Sequence, residues 1–452
     1  MSSLVKTVLI ANRGEIALRI IRACRELGVS TILVHSQADA NSLPVRLADK
    51  AVCIGPSQSN LSYRNQQAIL GAAIAFGAKA IHPGYGFLAE NAAFARSCEK
   101  EGLVFIGPKS DVIHKMGDKI EAKKIAIKAG VPTVPGSDGA IRDFKQALIV
   151  AKQIGFPLLI KAAAGGGGRG MRIVQDMSTF ANDLSEIMSE AETAFGDSSV
   201  YIERYLTNIR HIEIQVMCDG KTFLHMGERD CTTQRRNQKL IEESPSPVLD
   251  ETLRLQLAKA AISLCREVKY TNAGTVEFVF DLNERKFYFI EMNTRIQVEH
   301  PVSEMITGFD LIKMQIEIAS GIPLSVRQDD IKMTGHAIEC RINAEDPEKN
   351  FMPGPGTVTK FHMPGGLGVR MDTHIEAGYV IPPFYDSMVG KLICWGQTRQ
   401  EAIARMTSAL GELDLGKITT TASFHKRLLQ NPQFVSGVFN TSFVANLMKS
   451  VG

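Results

Sequence analysis

Apolar and polar positions alternate along this chain with two different periods. An apolar run from Thr7 to Ala11 leads through a short turn into a helical pattern from about Glu15 to Leu27. Gly28 stops that helix, and a second apolar run, Ser30 to His35, follows. This order predicts a βαβ unit of the doubly wound type. In His211 to Val216 the period is two, which puts His211, Glu213 and Gln215 on one face of a strand. Val200 to Leu206 is a further strand-like run. Gly274 to Phe280 and Lys286 to Ile290 are rich in β-branched and aromatic residues, and polar Asp281 to Arg285 separates them, so the pair predicts a β-hairpin. From Glu291 the alternation is strict. Glu291, Asn293, Arg295, Gln297 and Glu299 fall on one face, with Met292, Thr294, Ile296 and Val298 on the other. A helix from about Ser303 to Ser320, ended by Gly321 and Pro323, comes next. The tail from His336 is Gly/Pro-rich and strand-like before a final helix from about Gln400 to Leu413. No internal repeat is visible.

The polar face that begins at Glu291 carries more chemistry than a solvated strand needs. If Asn283, Glu284 and Arg285 form a three-residue loop, Glu277 falls opposite Glu291. Opposed Cβ atoms lie about 4.5–5.5 Å apart, and two like charges about 4 Å apart at an effective dielectric of about 20 repel by roughly 4 kcal/mol. Either one carboxyl is protonated or a cation sits between them. Asn293, on the same face, adds a neutral oxygen. Three oxygen ligands without Cys or His suit a hard cation, Mg²⁺ or Mn²⁺, and two ions sharing bridging oxygens fit the same acids.

A phosphate-binding half lies upstream. The apolar run Phe156 to Ile160 is followed by Lys161, three alanines and Gly165 to Gly168, then Arg169 and Gly170. Glycines let the backbone approach a ligand and aim N–H groups at phosphate oxygens. No Gly-Lys-Ser/Thr closes the run, so it is not a Walker loop; it predicts a lid hinged on glycine. Arg229 to Lys239 gathers Arg229, Arg235, Arg236 and Lys239 and predicts a polar loop able to collect anions. The first βα turn holds only Gly14 in place of Gly-x-Gly-x-x-Gly, which argues against a dinucleotide.

Taken together, these segments resemble biotin carboxylase, the ATP-grasp component of biotin-dependent carboxylases. The resemblance runs through Ala11–Arg19 (ANRGEIALR), His82–Asn91 (HPGYGFLAEN), Met116–Lys119 (MGDK), the glycine run, Glu228–Cys231 (ERDC), Glu291–Val302 and Glu339–Asp346 (ECRINAED). It implies an α/β (overall α+β) architecture in three parts: a Rossmann-like N-terminal domain over 1–115, an ATP-grasp domain over 116–335 with a mobile lid at about 133–204, and a strand-rich C-terminal domain over 336–452. It also implies a reaction. ATP and bicarbonate form carboxyphosphate, and the carboxyl group passes to N1′ of biotin on a carrier protein.

Matched motif by motif, the resemblance implies that Lys119 and Lys161 hold ATP phosphates, with Gly167 and Gly168 in the lid. Glu203 and Leu206 meet the adenine, and His211 and Gln234 lie near the ribose. Glu277, Glu291 and Asn293 hold Mg²⁺ or Mn²⁺. Lys239, Arg295, Gln297 and the backbone of Val298 grip bicarbonate, Arg341 binds carboxyphosphate or biotin, and Glu299 is the general base. Three departures stand out. Asn237 replaces a His that several members use as a nucleotide contact, Ala163-Ala164 replaces Ser-Gly before the glycine run, and Gly354 replaces a Ser. The resemblance further implies a homodimer through Arg19 and Arg22. The chain lacks an Ala-Met-Lys-Met biotinylation motif, so the biotin carboxyl carrier protein and the carboxyltransferase are expected on separate subunits. The final acceptor is acetyl-CoA or, alternatively, pyruvate or another acyl-CoA. Other ATP-grasp ligases share the metal and lid logic, but Arg295-Ile-Gln-Val-Glu299 disfavours them.

Composition agrees. At 452 residues the chain accommodates about three domains of roughly 150 residues. The net charge of +3 gives no support for binding nucleic acid or an anionic membrane. Eight cysteines with no Cys-x-x-Cys pair read as the reduced thiols of a cytoplasmic enzyme. Neither a signal peptide nor an 18-residue apolar span is apparent.

Overall fold

The computed structural model describes residues 3–163 and 171–451, and it forms two compact units. The first comprises Met1–Val131, Arg210–Phe278 and Glu291–Gly452; the second comprises Pro132–Ile209 and Val279–Ile290.

The first unit opens as the βαβ pattern predicts. Strands β1 (Thr7–Ile10), β2 (Ser30–Ser36), β3 (Lys50–Gly55), β4 (Ala80–His82) and β5 (Val104–Phe105) form a parallel sheet in the order β3-β2-β1-β4-β5. Successive residues of β1 point to opposite faces. Val8 and Ile10 pack with Ile16 and Ile20 of the first helix, Gly14–Glu26, while Leu9 packs with Tyr63, Ile69 and Phe94. Gly28, at φ +69°, takes the left-handed conformation that closes a helix end.

In the second unit, β6 (Leu158–Ala162) lies antiparallel between β7 (Met171–Val174) and β8 (Val200–Arg204). The helix Met177–Phe195 lays Phe180, Leu184 and Ile187 against Leu158, Ile160, Val200 and Ile202. Gly167 and Gly168 of the expected lid lie outside the described residues.

Strands β9 (Ile209–Asp219), β10 (Phe223–Arg235), β11 (Gln238–Ser244), β12 (Thr271–Asp281), β13 (Lys286–Asn293) and β14 (His336–Asn343) join Met388–Gly396 and Val369–Thr373 in an eight-stranded sheet. Its order is β13-β12-β9-β10-β11-β14 followed by those last two strands.

Four expectations need correction. The loop from β12 to β13 has four residues, Leu282 to Arg285, and not three; Arg285 turns the chain at φ +52°. The strand beginning in the polar alternation ends at Asn293, after which residues 294–299 are irregular and the helix His300–Thr307 begins. The expected helix over 303–320 is two helices, His300–Thr307 and Leu311–Ala319, because Gly308 at φ +76° ends the first. Arg229 to Lys239 is not a polar loop. It is the β10–β11 hairpin, closed by Arg236 and Asn237 at φ +49° and +65°, the conformation of a two-residue type I′ turn. The C-terminal helix is Arg399–Glu412, and Ala422–Gln430, Pro432–Ser436 and Phe443–Val451 follow it.

Candidate active site

The site is assembled on the face of the eight-stranded sheet, where period-two alternation aims charged side chains from several strands at one point. Lys239 on β11 stands at the centre. Its Nζ donates to Glu213 Oε2 at 2.7 Å, to Glu299 Oε1 at 2.7 Å and to Glu277 Oε1 at 3.0 Å. The second oxygen of Glu299 accepts from Arg341 at 3.0 Å, and Arg341 also donates to Glu242 at 2.6 Å. Glu277 is shared widely. Asn293 Nδ2 and Gln297 Nε2 donate to its Oε1 at 2.8 and 2.7 Å, and His211 Nε2 lies 2.9 Å from its Oε2.

Beneath this layer lies Arg229, fully buried and directly across the ladder from Glu213. Its guanidinium donates to Glu213, Gln215, Ser303, Thr275 and Gln297 at 2.6–3.0 Å, so all of its charge is met by a fixed cage. Arg295, on the irregular segment, donates to Glu90 Oε2 at 2.8 Å and to Asn293 Oδ1 at 2.9 Å.

The electrostatics follow from burial and pairing. Burial works to raise the Glu299 carboxyl, but Lys239, Arg341 and Arg229 overcome it and hold the group well below the usual carboxylate range. Glu277 is lowered likewise: burial opposes, and Lys239 and His211 prevail. Glu291 moves the other way, because burial and the Glu277 charge both raise it while the Lys119 charge only partly compensates. A divalent cation beside Glu291 and Glu277 relieves that conflict, so the donor set fits a hard metal. His211, Glu213 and Glu277 offer a further set of ligand atoms all within 4.8 Å of one another.

The sequence-derived residues are placed as follows. Lys239, Glu277, Asn293, Gln297, Glu299, His211 and Arg341 converge in one hydrogen-bonded network. Arg295 joins it through Asn293, and Glu291 and Lys119 join through their charges. Lys119 is exposed as the first residue of the helix Lys119–Lys128. Gln234 donates to the Cys231 carbonyl at 3.1 Å, and Asn237 is exposed at the hairpin tip. In the second unit, Lys161 on β6 pairs with Glu203 on β8 at 2.5 Å, and Leu206 follows that strand. Sequence reasoning missed Glu90, Arg229 and Glu242 as members of the network. Glu213, noted only as part of an alternating face, is one of its central carboxylates.

Three family models match the chain in succession: the biotin carboxylase N-terminal domain over residues 4–113, the ATP-binding domain of the carbamoyl-phosphate synthase L chain over 118–327, and the biotin carboxylase C-terminal domain over 339–446. Biotin carboxylase 1 of Bacillus subtilis (strain 168) is 55% identical over 443 residues, covering 98% of each chain. The chain belongs to the biotin carboxylase family. A pyruvate carboxylase subunit of Methanothermobacter thermautotrophicus is 51% identical over 98% of this chain and 90% of its own. Among solved structures, the biotin carboxylase domain of a thermophilic 2-oxoglutarate carboxylase bound to bicarbonate superposes with a TM-score of 0.94, at 44% identity over 100% of both chains. The domain dimer of the Hydrogenobacter thermophilus 2-oxoglutarate carboxylase, in complex with MgADP, ADP and bicarbonate, gives 0.89 at 45% identity, covering 100% of this chain and 99% of that one. No described helix is long and apolar enough to cross a membrane.

Proposed function

We propose that this protein carboxylates biotin: bicarbonate attacks the γ-phosphate of ATP to give carboxyphosphate, and the carboxyl group passes to N1′ of biotin on a carrier protein. The observation that carries the reading is the Lys239–Glu299–Arg341 arrangement, a buried ionised carboxylate gripped by two cations beside a pair of metal-suited acids. In this reading Glu299 takes the bicarbonate proton. The dianion that results is stabilised by Lys239 and Arg295, held by Gln297 and the backbone of Val298, and delivered to the phosphate. Arg341 holds carboxyphosphate or biotin, and Arg295 steadies the enolate of the biotin ureido group. Glu277, Glu291 and Asn293 would hold Mg²⁺ or Mn²⁺, whose charge offsets that of the triphosphate. Lys119 and Lys161 bind phosphates, Gly167 and Gly168 belong to the lid, Glu203 and Leu206 receive the adenine, and His211 and Gln234 the ribose. Asn237 keeps a hydrogen-bonding side chain where several members carry His.

The three matched spans support a division at 1–115, 116–335 and 336–452. The near-equal length of the relatives supports a protein that works with separate carrier and carboxyltransferase subunits, and the dimeric neighbour supports a homodimer. Acetyl-CoA is the leading final acceptor. Pyruvate is the second reading, favoured by the pyruvate carboxylase relative from Methanothermobacter.

The test is bicarbonate-dependent ATP hydrolysis with and without free biotin. Stimulation by biotin is expected; hydrolysis indifferent to biotin would count against the reaction. Purifying the native protein with its bound subunits would separate the two acceptors.

A further inference from the structure

The strand Met388–Gly396 places a lysine, Lys391, wholly inside the first unit, with a side chain 0% exposed. An ammonium in that position costs several kcal/mol of lost hydration unless it is fully paired. Its Nζ donates to the backbone carbonyl of Val298 at 2.8 Å and lies 3.1 Å from Glu15 Oε1 on the first helix and 4.0 Å from Asp372 Oδ2 on the neighbouring strand.

The register makes this position informative. Lys391 is directly across the ladder from Arg341. Two like charges so paired are destabilising on their own, yet here each has a separate task. Arg341 donates to the side chain of Glu299 at 3.0 Å, and Lys391 donates to the carbonyl of the residue before it. The segment 294–299 has no ladder of its own, so each buried carbonyl there needs a donor from elsewhere. Gln297 and Glu299 are otherwise anchored through side chains, to Arg229, Glu277, Lys239 and Arg341. Those contacts must rearrange when an anion enters, whereas a hold on the backbone survives.

We propose that Lys391 is a positioning residue for the reaction: from the interior it fixes the peptide between Val298 and Glu299, and so sets the direction of the Val298 N–H and the Glu299 carboxylate toward bicarbonate. Glu15, tied to Lys391 at one end and to the Tyr85 hydroxyl at the other, keeps the ammonium in place. This inference rests on the reaction proposed above.

The test compares wild type, Lys391→Met and Glu15→Gln in biotin-stimulated ATP hydrolysis, titrating bicarbonate and Mg-ATP separately. Losing one charge-assisted hydrogen bond on the bicarbonate segment should raise KM for bicarbonate about tenfold in Lys391→Met and by a smaller factor in Glu15→Gln. KM for Mg-ATP should stay within about twofold in both. A purely structural role predicts that both constants rise together with falling thermal stability. That result, or an unchanged bicarbonate KM, overturns the proposal. If Lys391→Met fails to fold, Glu15→Gln decides by the same split. A wild-type protein without biotin-stimulated turnover would instead remove the proposed reaction itself, and the role of Lys391 with it.

Discussion

Lys239 Nζ and Glu299 Oε1 lie 2.7 Å apart, and the same ammonium touches Glu213 and Glu277. The Glu299 carboxyl is held low against its own burial, first by Lys239 and then by Arg341 and Arg229. Replacing Lys239 with Met leaves burial less opposed, so the folded-state pKa of Glu299 rises and the group gains protons at a higher pH. The acid limb of kcat/KM for bicarbonate should therefore move to higher pH in Lys239→Met, with a large fall in the plateau rate. An acid limb at the wild-type position would show that Lys239 does not set the ionisation of the base.

Glu299→Gln tests the base directly. Glu299 makes no contact with Glu291 or Asn293 among the described residues, so the amide should abolish most proton transfer, a loss of about 10²–10⁴-fold in carboxylation. Mg-ADP affinity, measured calorimetrically, should stay near wild type. A variant that carboxylates normally would move the base elsewhere.

Glu291 is raised by burial and by the Glu277 charge, so its ionised form strains the metal-free protein. Glu291→Gln should leave the thermal midpoint of the apoprotein unchanged or slightly higher. The same change should shrink the midpoint shift produced by Mg-ATP and weaken Mn²⁺ binding by about tenfold or more. An undiminished shift would contradict the ligand assignment.

Arg229 is fully buried and serves five acceptors. Removing it strands Glu213, Gln215 and Gln297 without their donor. Arg229→Met should cost about 3–5 kcal/mol in urea unfolding, the range for breaking a buried ion pair from one side. A change under about 1 kcal/mol would mean the cage relaxes or admits water.

Much of the fold is legible in residue order. The βαβ start, the strand face of His211, Glu213 and Gln215, and the hairpin carrying Glu277 and Glu291 all follow from period and turn composition, and the structure contains each of them. The polar alternation at Arg295, Gln297 and Glu299 reads as a continuing strand, and it is not one. Side-chain spacing does not reveal where a backbone leaves its ladder, and here it leaves at Asn293. Arg229 to Lys239 reads as a loop only if charge density is equated with exposure. Arg229 is charged and interior because Glu213 stands opposite it on another strand. Glu90 and Glu242 escape notice for a related reason: each is paired with a residue distant in sequence, Glu90 with Arg295 and Glu242 with Arg341.

By itself the sequence determined the kinds of groups available and their local faces, because side-chain direction along a strand depends only on backbone period. It also carried the family resemblance, since that rests on ordered blocks of residues. The tertiary structure decided which charges meet. The partners of Lys239 come from β9, β12 and the segment before His300. A coulombic field falls with distance in space and is amplified by burial; neither quantity is written in residue order.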